Sequence, residues 1–442
     1  MSVVLTGGRV VTALSPARVA TTDVLVEDGR IAALGSFAAA PPGAQRIDCS
    51  GCLVIPGNVC AHTHVYSALA RGMPYALEPP RNFIEILQRV WWRLDRALDE
   101  ESVRASALVG GMEALLAGTT TLVDHHASPN AIDGSLDVVA DAFQSLGLRS
   151  VVCYEVSDRD GPERARAGVA ENVRFLAARH TPLVRGLVGA HASFTLSEDT
   201  LAACVEAART ARVGIHVHAA EDGADEADSN ARFGQRVAER LARAGALTPD
   251  TLLAHCVHLD SGECTLVRKA GATVAHNARS NMNNGVGRTP LAALGAVAVG
   301  TDGIGADMFE ESRIGFFRLR EDTLEAPFDW PLAHLAEGAR LAGRIFGEAA
   351  FGTITPGAPA DLVVLDYEPP APLDGGNIAG HWVFGLSSRA VRDVLVAGEV
   401  VVRERRLTRV DQGELSRNAA RDAKRLWDRL QEIGPHPFEP KQ

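Results

Sequence analysis

The sequence predicts an α/β chain: a TIM-like (β/α)8 barrel carrying a small β-sandwich domain assembled from both termini. Three observations predict it. Apolar runs alternate with amphipathic helical segments through residues 56–351, eight such runs can be counted, and short β-type runs cut by Gly, Asp or Pro occupy both ends. Parallel strands need crossovers and are buried on both faces, so they appear as continuous apolar runs separated by helices.

The N-terminal stretch, residues 1–55, reads VVLTGGRVVTAL, TTDVLVEDGRIAALG and RIDCSGCLVIPG, a meander of short strands. The same texture returns in GTITPGAPADLVVLD and AVRDVLVAGEVVVRERRL, so residues 352–411 complete the terminal β-domain. The barrel strands are 54–62, 120–126, 149–156, 185–191, 213–219, 251–258, 272–278 and 296–300. Helices intervene, for example from Asp99 to Ala117 with Gly118 as C-terminal cap, and from Ser197 to Ala211. An open doubly wound sheet would place a glycine-rich turn after its first strand. Here that strand runs into His62-Thr63-His64 instead. A long insertion over 71–98 carries Trp91 and Trp92; it forms either a lid over an aromatic-walled pocket or a helix packing its tryptophans on the barrel. A polar helix over 412–432 lies on the surface, within a C-terminal helix and tail of 412–442.

Composition narrows the function classes. A chain of 442 residues, 46% hydrophobic and 22% charged, suits a large barrel plus an accessory domain. A net charge of −11 argues against nucleic acid or an anionic membrane as partner. The start shows no basic segment followed by an apolar core, and no 18-residue apolar run occurs, so neither secretion nor a membrane span is expected. Seven cysteines, an odd number, fit a reducing cytoplasm better than a disulfide framework. The lone pair Cys49 and Cys52 lacks a second pair and is taken as two small residues in a turn.

The chemistry gathers at the predicted C-terminal strand ends, the catalytic rim of such barrels. His62 and His64 are two apart on an extended strand, so both imidazoles point to one side. In HVHAAE, His218 ends the fifth strand and completes three neutral nitrogen ligands. Glu221 follows three residues later, placed to move protons without binding metal. His216, one layer deeper, reads as a buried core histidine with a smaller chance of supporting the site. His255 in LLAHCVH is placed to hold a water or an oxyanion, whereas His258 is expected exposed in the next loop. Asp302, in GTDG after the eighth strand, can bind the cation and accept the proton of an attacking water. Each residue alone is as compatible with core packing or a turn; the set on strand ends one, five, six and eight is not.

These motifs, PGNVCAHTH, HVHAAE, LLAHCVH and GTDG, bracketed by terminal β-segments and GAPADLVVLD, resemble the amidohydrolase superfamily over residues 1–410. They are similar to its mononuclear deaminase branch of guanine, cytosine and S-adenosylhomocysteine deaminases and triazine hydrolases. SALARGM, WWRLD, TTTLVDHHASP and GTDGIGADM further resemble aminohydrolases associated with selenium and purine metabolism. The resemblance implies one divalent metal, zinc with iron or manganese as alternatives, on His62, His64, His218 and Asp302, with Glu221, His255 and Asp302 catalytic. Binuclear relatives carry a lysine at the end of the fourth strand; LVRGLVGAHASF has none, which favours a single ion. By the same resemblance His191 and the Asn277–Asn281 segment face the substrate. Trp92 would wall the pocket, and His125, paired with His126, contacts substrate, a second cation or only the core.

The expected reaction is hydrolytic deamination of a small nitrogen-rich heterocycle (purine, pterin, pyrimidine or triazine-like). Rival readings are the same site expelling chloride or an alkylamine, the same site opening a cyclic amide, and a metal-binding scaffold that has lost catalysis. Homodimers or larger assemblies are common in that superfamily; no residue here decides one.

Overall fold

In the middle of the chain, apolar runs that need partners on both sides find them in two all-parallel sheets. The computed structural model describes residues 2–37, 42–178 and 181–441; Met1 and Gln442, at the ends of the expected domain ranges, lie outside the described residues. The first sheet runs in the order Val184–Gly186, Arg149–Tyr154, Thr119–His126 and Asn58–Thr63. The second runs Val188–Ala192, Ile215–Ala219, Leu252–His255, Thr273–His276 and Ala298–Val299. Isolated bridges link the two sheets at both edges, Thr63 to Asp302 and Val156 to Ala190.

Two expected strands divide. The run 54–62 breaks at Gly57: Leu53–Pro56 pairs antiparallel with Leu362–Leu365, and Asn58–Thr63 starts the parallel sheet. Gly57 donates its N–H to the Asp361 carbonyl, and a Cβ there would sit 2.2 Å from Thr120 Oγ1. Only glycine lets the chain pass so close to the neighbouring strand. The fourth run, 185–191, breaks at Leu187, with Val184–Gly186 on one sheet and Val188–Ala192 on the other.

The terminal segments build two further sheets. One has four strands, in the order Arg30–Gly35, Asp23–Glu27, Ser2–Thr6 and Gln45–Asp48. The other has seven, from Arg406–Leu407 through Val391–Val396, Leu362–Leu365 and Leu53–Pro56 to Ala17–Thr21. Three of their hairpins turn on two residues of positive φ: Asp28-Gly29, Ala397-Gly398 and Glu404-Arg405. That turn shape matches the right-handed twist of the strands it joins. Val3, Leu5, Ile31 and Ile47 of one sheet share a buried core with Val54, Leu362, Val364 and Leu395 of the other. The range 352–411 is not strands alone, because a helix occupies Ile378–Phe384.

A buried ion pair ties the two regions. Arg149, at the start of a parallel strand, donates Nε–H and Nη2–H to Asp361 at 2.8 and 2.9 Å. Paired this way, both charges are satisfied in a dry setting.

Helix ends follow the sequence signals. Glu100–Leu116 is capped by Asp99 with a reciprocal Ser102 bond, and Glu198–Ala211 by Ser197. The insertion carrying Trp91 and Trp92 is helical from Phe83 to Ala97, with a wider π-type turn over Leu87–Trp91. The final helix, Gln412–Gln431, is not a free surface helix: Ala419, Ala423, Leu426 and Leu430 are buried. Beyond it the tail returns to the 83–97 helix. His436 donates its N–H to the Gln88 carbonyl, Gln88 donates to the Phe438 carbonyl, and Arg93 donates to the Ile433 carbonyl. No helix among the described residues is long and apolar enough to cross a membrane.

Candidate active site

The residues singled out from sequence meet at the C-terminal ends of the parallel strands. His62 closes the first strand, and the turn after the eighth is stitched to it. Thr301 and Asp302 both donate their N–H to the His62 carbonyl, at 2.8 and 3.1 Å, and His64 donates its own to the Asp302 carbonyl at 3.2 Å. Gly300 permits this approach, since a Cβ there would meet Asn277 Oδ1 at 2.4 Å and His62 Cβ at 2.8 Å.

Three strand ends then turn, at four residues, through conformations that side chains rarely adopt. Ala220, His255, Cys256 and Asp302 have φ of 47°, 72°, 53° and 52°. Left-handed backbone at a non-glycine residue costs about 1–2 kcal/mol, and such strain gathers where side chains must be aimed. Here it aims His255 and Asp302 at one centre.

The centre is a cluster of nitrogen and oxygen lone pairs. His64 Nε2 and His218 Nε2 are 3.0 Å apart, and Asp302 Oδ1 is 3.1 Å from His64 Nε2 and 3.4 Å from His62 Nε2. His62 Nε2 and His255 Nε2 are buried without a hydrogen-bond partner. Ligating atoms of His62, His218, His255 and Asp302 all lie within 4.8 Å of one another, as do those of His62, His64, His125 and His218. The opposite ring nitrogens are tied back: His64 Nδ1 to the His125 carbonyl at 2.6 Å, His218 Nδ1 to the His191 carbonyl at 2.8 Å, and His255 Nδ1 to Asn281 Oδ1 at 2.8 Å. Anchoring Nδ1 leaves Nε2 free for the centre. Three imidazoles and a carboxylate converging this way form a candidate metal site with the donor set a borderline divalent cation prefers.

The charges are arranged for one cation and one proton. Burial opposes it, yet the hydrogen bond and charge of Asp302 raise His64 to about 9, whereas burial lowers His62 to about 3. Asp302, despite its own burial, is held well below the carboxylate range by the close imidazoles of His62 and His64. Glu221 goes the other way, pushed well above that range by burial and then by the Asp302 charge. Two carboxylates in one pocket thus divide the work, one ionised and one holding a proton. Glu221 Oε2 lies 3.5 Å from His255 Nε2, and its Oε1 accepts from Asn284 Nδ2 at 3.3 Å.

The pocket above the centre is lined by His64, His191, His218, Glu221 and Asp302, under a roof of Phe83, Leu87, Trp91, Trp92 and Phe194. His191 and Trp92 are thus both among its lining residues. Asn281 and His125 do not line it. Asn281 is turned to His255, and His125 lies beneath His64 and His218, fully buried with neither ring nitrogen hydrogen-bonded. His258, expected exposed, is half-buried and bonded to the Val286 carbonyl. His216 is no isolated core residue, since its Nε2 is 2.8 Å from His62 Nδ1.

Sequence reasoning missed Glu155, Ser280 and Asn284. Glu155 follows the third strand, lines the pocket, approaches His125 and His191 at 3.4 and 3.6 Å, and is paired with buried Arg159 at 3.1 Å. A carboxylate one residue past a strand end was its visible signal. Ser280 donates to Asp302 Oδ2, a contact inside the segment singled out for other reasons.

A 5-methylthioadenosine/S-adenosylhomocysteine deaminase of Desulforudis audaxviator is 32% identical over 422 residues, covering 92% of this chain and 95% of its own. A 5'-deoxyadenosine deaminase of Methanopyrus kandleri is 31% identical over 386 residues, covering 85% and 86%. The crystal structure of an adenosine deaminase from Xanthomonas campestris with bound zinc superposes with a TM-score of 0.83 at 25% identity, over 98% of this chain and 99% of that one. Residues 53–401 match the amidohydrolase family, and the chain belongs to it.

Proposed function

We propose that this chain is a metal-dependent aminohydrolase that deaminates a small nitrogen-rich heterocycle, with one divalent ion, zinc, held by His62, His64, His218 and Asp302. The observation that carries the reading is the convergence of ring nitrogens and a carboxylate: His64 Nε2 lies 3.0 Å from His218 Nε2, and Asp302 Oδ1 lies 3.1 and 3.4 Å from His64 and His62 Nε2. The relatives' names, all deaminases of adenosine derivatives, support an amino group on an adenine-like ring as the leaving nitrogen.

When bound there, a divalent cation supplies the Lewis acidity that makes water nucleophilic near neutral pH. The chain's residues do the rest. Asp302, held ionised, and His255, aimed by Asn281, orient the attacking water and draw off its proton. Glu221 delivers a proton from its carboxyl to the ring nitrogen beside the reacting carbon, which takes up the electrons displaced by attack. Left as a carboxylate, Glu221 takes up the proton that Asp302 drew from the water and hands it to the departing nitrogen, which leaves as ammonia while the remaining hydroxyl proton returns to Glu221. The roof of Phe83, Leu87, Trp91 and Trp92 excludes bulk water and presents flat apolar surface to a flat ring.

The same reading extends to architecture and setting. The two parallel sheets form one closed eight-stranded barrel over 56–351, a proposal supported by bridges at both edges. Segments 1–55 and 352–411 form a β-sandwich, supported by the core their two sheets share, and 412–442 is a helix with its tail. Seven unpaired cysteines support a reducing compartment such as the cytoplasm.

The test is a coupled ammonia assay on the zinc-loaded protein with aminopurines, aminopterins, aminopyrimidines and aminotriazines, beside Glu221→Gln. Glu221→Gln should keep its zinc while ammonia release falls by about 10²- to 10⁴-fold. Zinc-loaded protein that releases no ammonia from any of these amines, or a Glu221→Gln variant of full activity, would overturn the reading.

A further inference from the structure

We infer that His216 and Cys153 are positioning residues that fix which nitrogen of His62 faces the metal centre, through a one-way hydrogen-bond chain ending on the Asp124 backbone carbonyl. The inference rests on the metal site proposed above.

The direction of the chain is settled from its far end. Cys153 Sγ lies 3.5 Å from the Asp124 carbonyl oxygen, which can only accept, so the single S–H points there. Burial pushes the Cys153 thiol well up, so the sulfur keeps its hydrogen. Having spent that hydrogen, the sulfur can only accept from His216 Nδ1, 3.7 Å away. His216 therefore carries its hydrogen on Nδ1, and its Nε2 is a bare lone pair. That lone pair is 2.8 Å from His62 Nδ1, so His62 must be the donor there. Its other nitrogen, Nε2, is left as a lone pair, and that is the atom 3.4 Å from Asp302. Each link forces the next.

The other ligand histidines lack this dependence. His64 and His218 donate from Nδ1 to backbone carbonyls, which no substitution of a side chain removes. Among the three proposed histidine ligands, His62 alone has its tautomer set by a side chain. All members of the chain are fully or almost fully buried, so water cannot replace a missing acceptor cheaply. His125 packs against the His216 ring, tilted by 33° with 4.4 Å between ring centres.

The alternative use of these residues is a second metal site, since His125, Cys153 and His216 offer ligand atoms close together. Proton bookkeeping excludes its coexistence with the first. Ligation through His216 Nδ1 would put the hydrogen on His216 Nε2, facing His62 Nδ1. His62 would then have to carry its own hydrogen on Nε2, at the centre, or lose it altogether.

The experiment measures zinc affinity by chelator competition, and the exchangeable imidazole N–H proton resonances, in wild type, His216→Leu, His216→Gln and Cys153→Val. His216→Leu should bind zinc about 10- to 100-fold more weakly, the loss typical of removing such a support, and lose the downfield His62 N–H resonance. His216→Gln, whose amide oxygen accepts at the same place, should recover most of both. Cys153→Val keeps the packing volume, should fold as wild type, and should weaken binding less than His216→Leu. Unchanged zinc affinity in His216→Leu, or a His216→Gln variant as weak as it, overturns the inference. If His216→Leu does not fold, an unshifted His62 N–H resonance and unchanged affinity in Cys153→Val overturn it. A wild-type protein that binds no zinc at these residues would instead sink the metal reading itself.

Discussion

The terminal sheets and the rim of the parallel sheets are built by opposite rules. In the terminal sheets, positive φ falls on hairpin turns that need it, and the shared core is apolar throughout. At the rim, positive φ falls on Ala220, His255, Cys256 and Asp302 at strand ends, and buried imidazole nitrogens lack partners. One region has each local preference agreeing with the fold; the other violates several at once. The difference teaches where stability and function reside in this chain, because natural sequences break local rules mainly where a site requires it. Strain and unpaired polar atoms at the rim are what a cation would relieve.

That contrast can be broken most forcefully by removing metal. Exhaustive chelation should abolish ammonia release, and readdition of zinc should restore it. The melting temperature should fall as well, because a ligand present at a thousandfold its Kd stabilises by about 4 kcal/mol. Far-ultraviolet circular dichroism should stay native, since the terminal sheets do not depend on the ion. A chelated protein that unfolds at room temperature would contradict the division.

The seam between the regions should be nearly as sensitive, through stability instead of chemistry. Arg149→Met leaves Asp361 buried and unpaired, which should cost about 3–5 kcal/mol. Urea denaturation measures it, and the double variant Arg149→Met/Asp361→Leu should regain most of the loss. Equal losses in the single and double variants would mean that packing, not the charge, mattered.

Much of the rim was legible because residue type and strand position point to it together. H-x-H, HVHAAE, LLAH and GTDG each put a metal-capable side chain where an apolar run stops, and the fold brings those stops to one end. What was not legible depends on partners. Pro56-Gly57 and the domain boundary placed beside it hinted that the run from Leu53 to Thr63 divides, but which sheets its halves join follows only from Val363 lying opposite Ile55 and Leu122 beside Cys60. His216 looked like core because sequence cannot show which ring nitrogen meets His62 across two strands. The tail over 432–441 carries no periodicity, so its return to the 83–97 helix had no signal at all. Glu155 differs, since its position was visible and it was passed over as part of a strand.

Within the terminal core a single truncation should sharpen the comparison. Leu395, fully buried between the two sheets, should cost about 2–5 kcal/mol on replacement by alanine. The zinc affinity of the folded variant should match wild type, measured by the same chelator competition. A parallel loss of affinity would mean that the two regions are mechanically coupled.

The smallest expected effect lies where the tail meets the pocket roof. Phe438 packs edge-on against Trp92 at 5.7 Å and tilted against Phe194 at 6.2 Å, and Trp92 in turn faces His191 at 6.0 Å. Phe438 touches no proposed ligand and no proton-moving residue, so Phe438→Ala should leave kcat and zinc content near wild type. It removes one of the aromatic contacts that hold the roof, each worth about 1 kcal/mol. A loss of that size in substrate binding alone appears as a KM raised about fivefold, since 1.4 kcal/mol is tenfold. Steady-state kinetics separates the outcomes. A change in kcat without a change in KM would place the tail in the chemistry, and no change in either would make the tail a surface strap with no part in the pocket. The fivefold KM effect would mark the roof as a third region, built on apolar packing like the terminal sheets yet serving the rim.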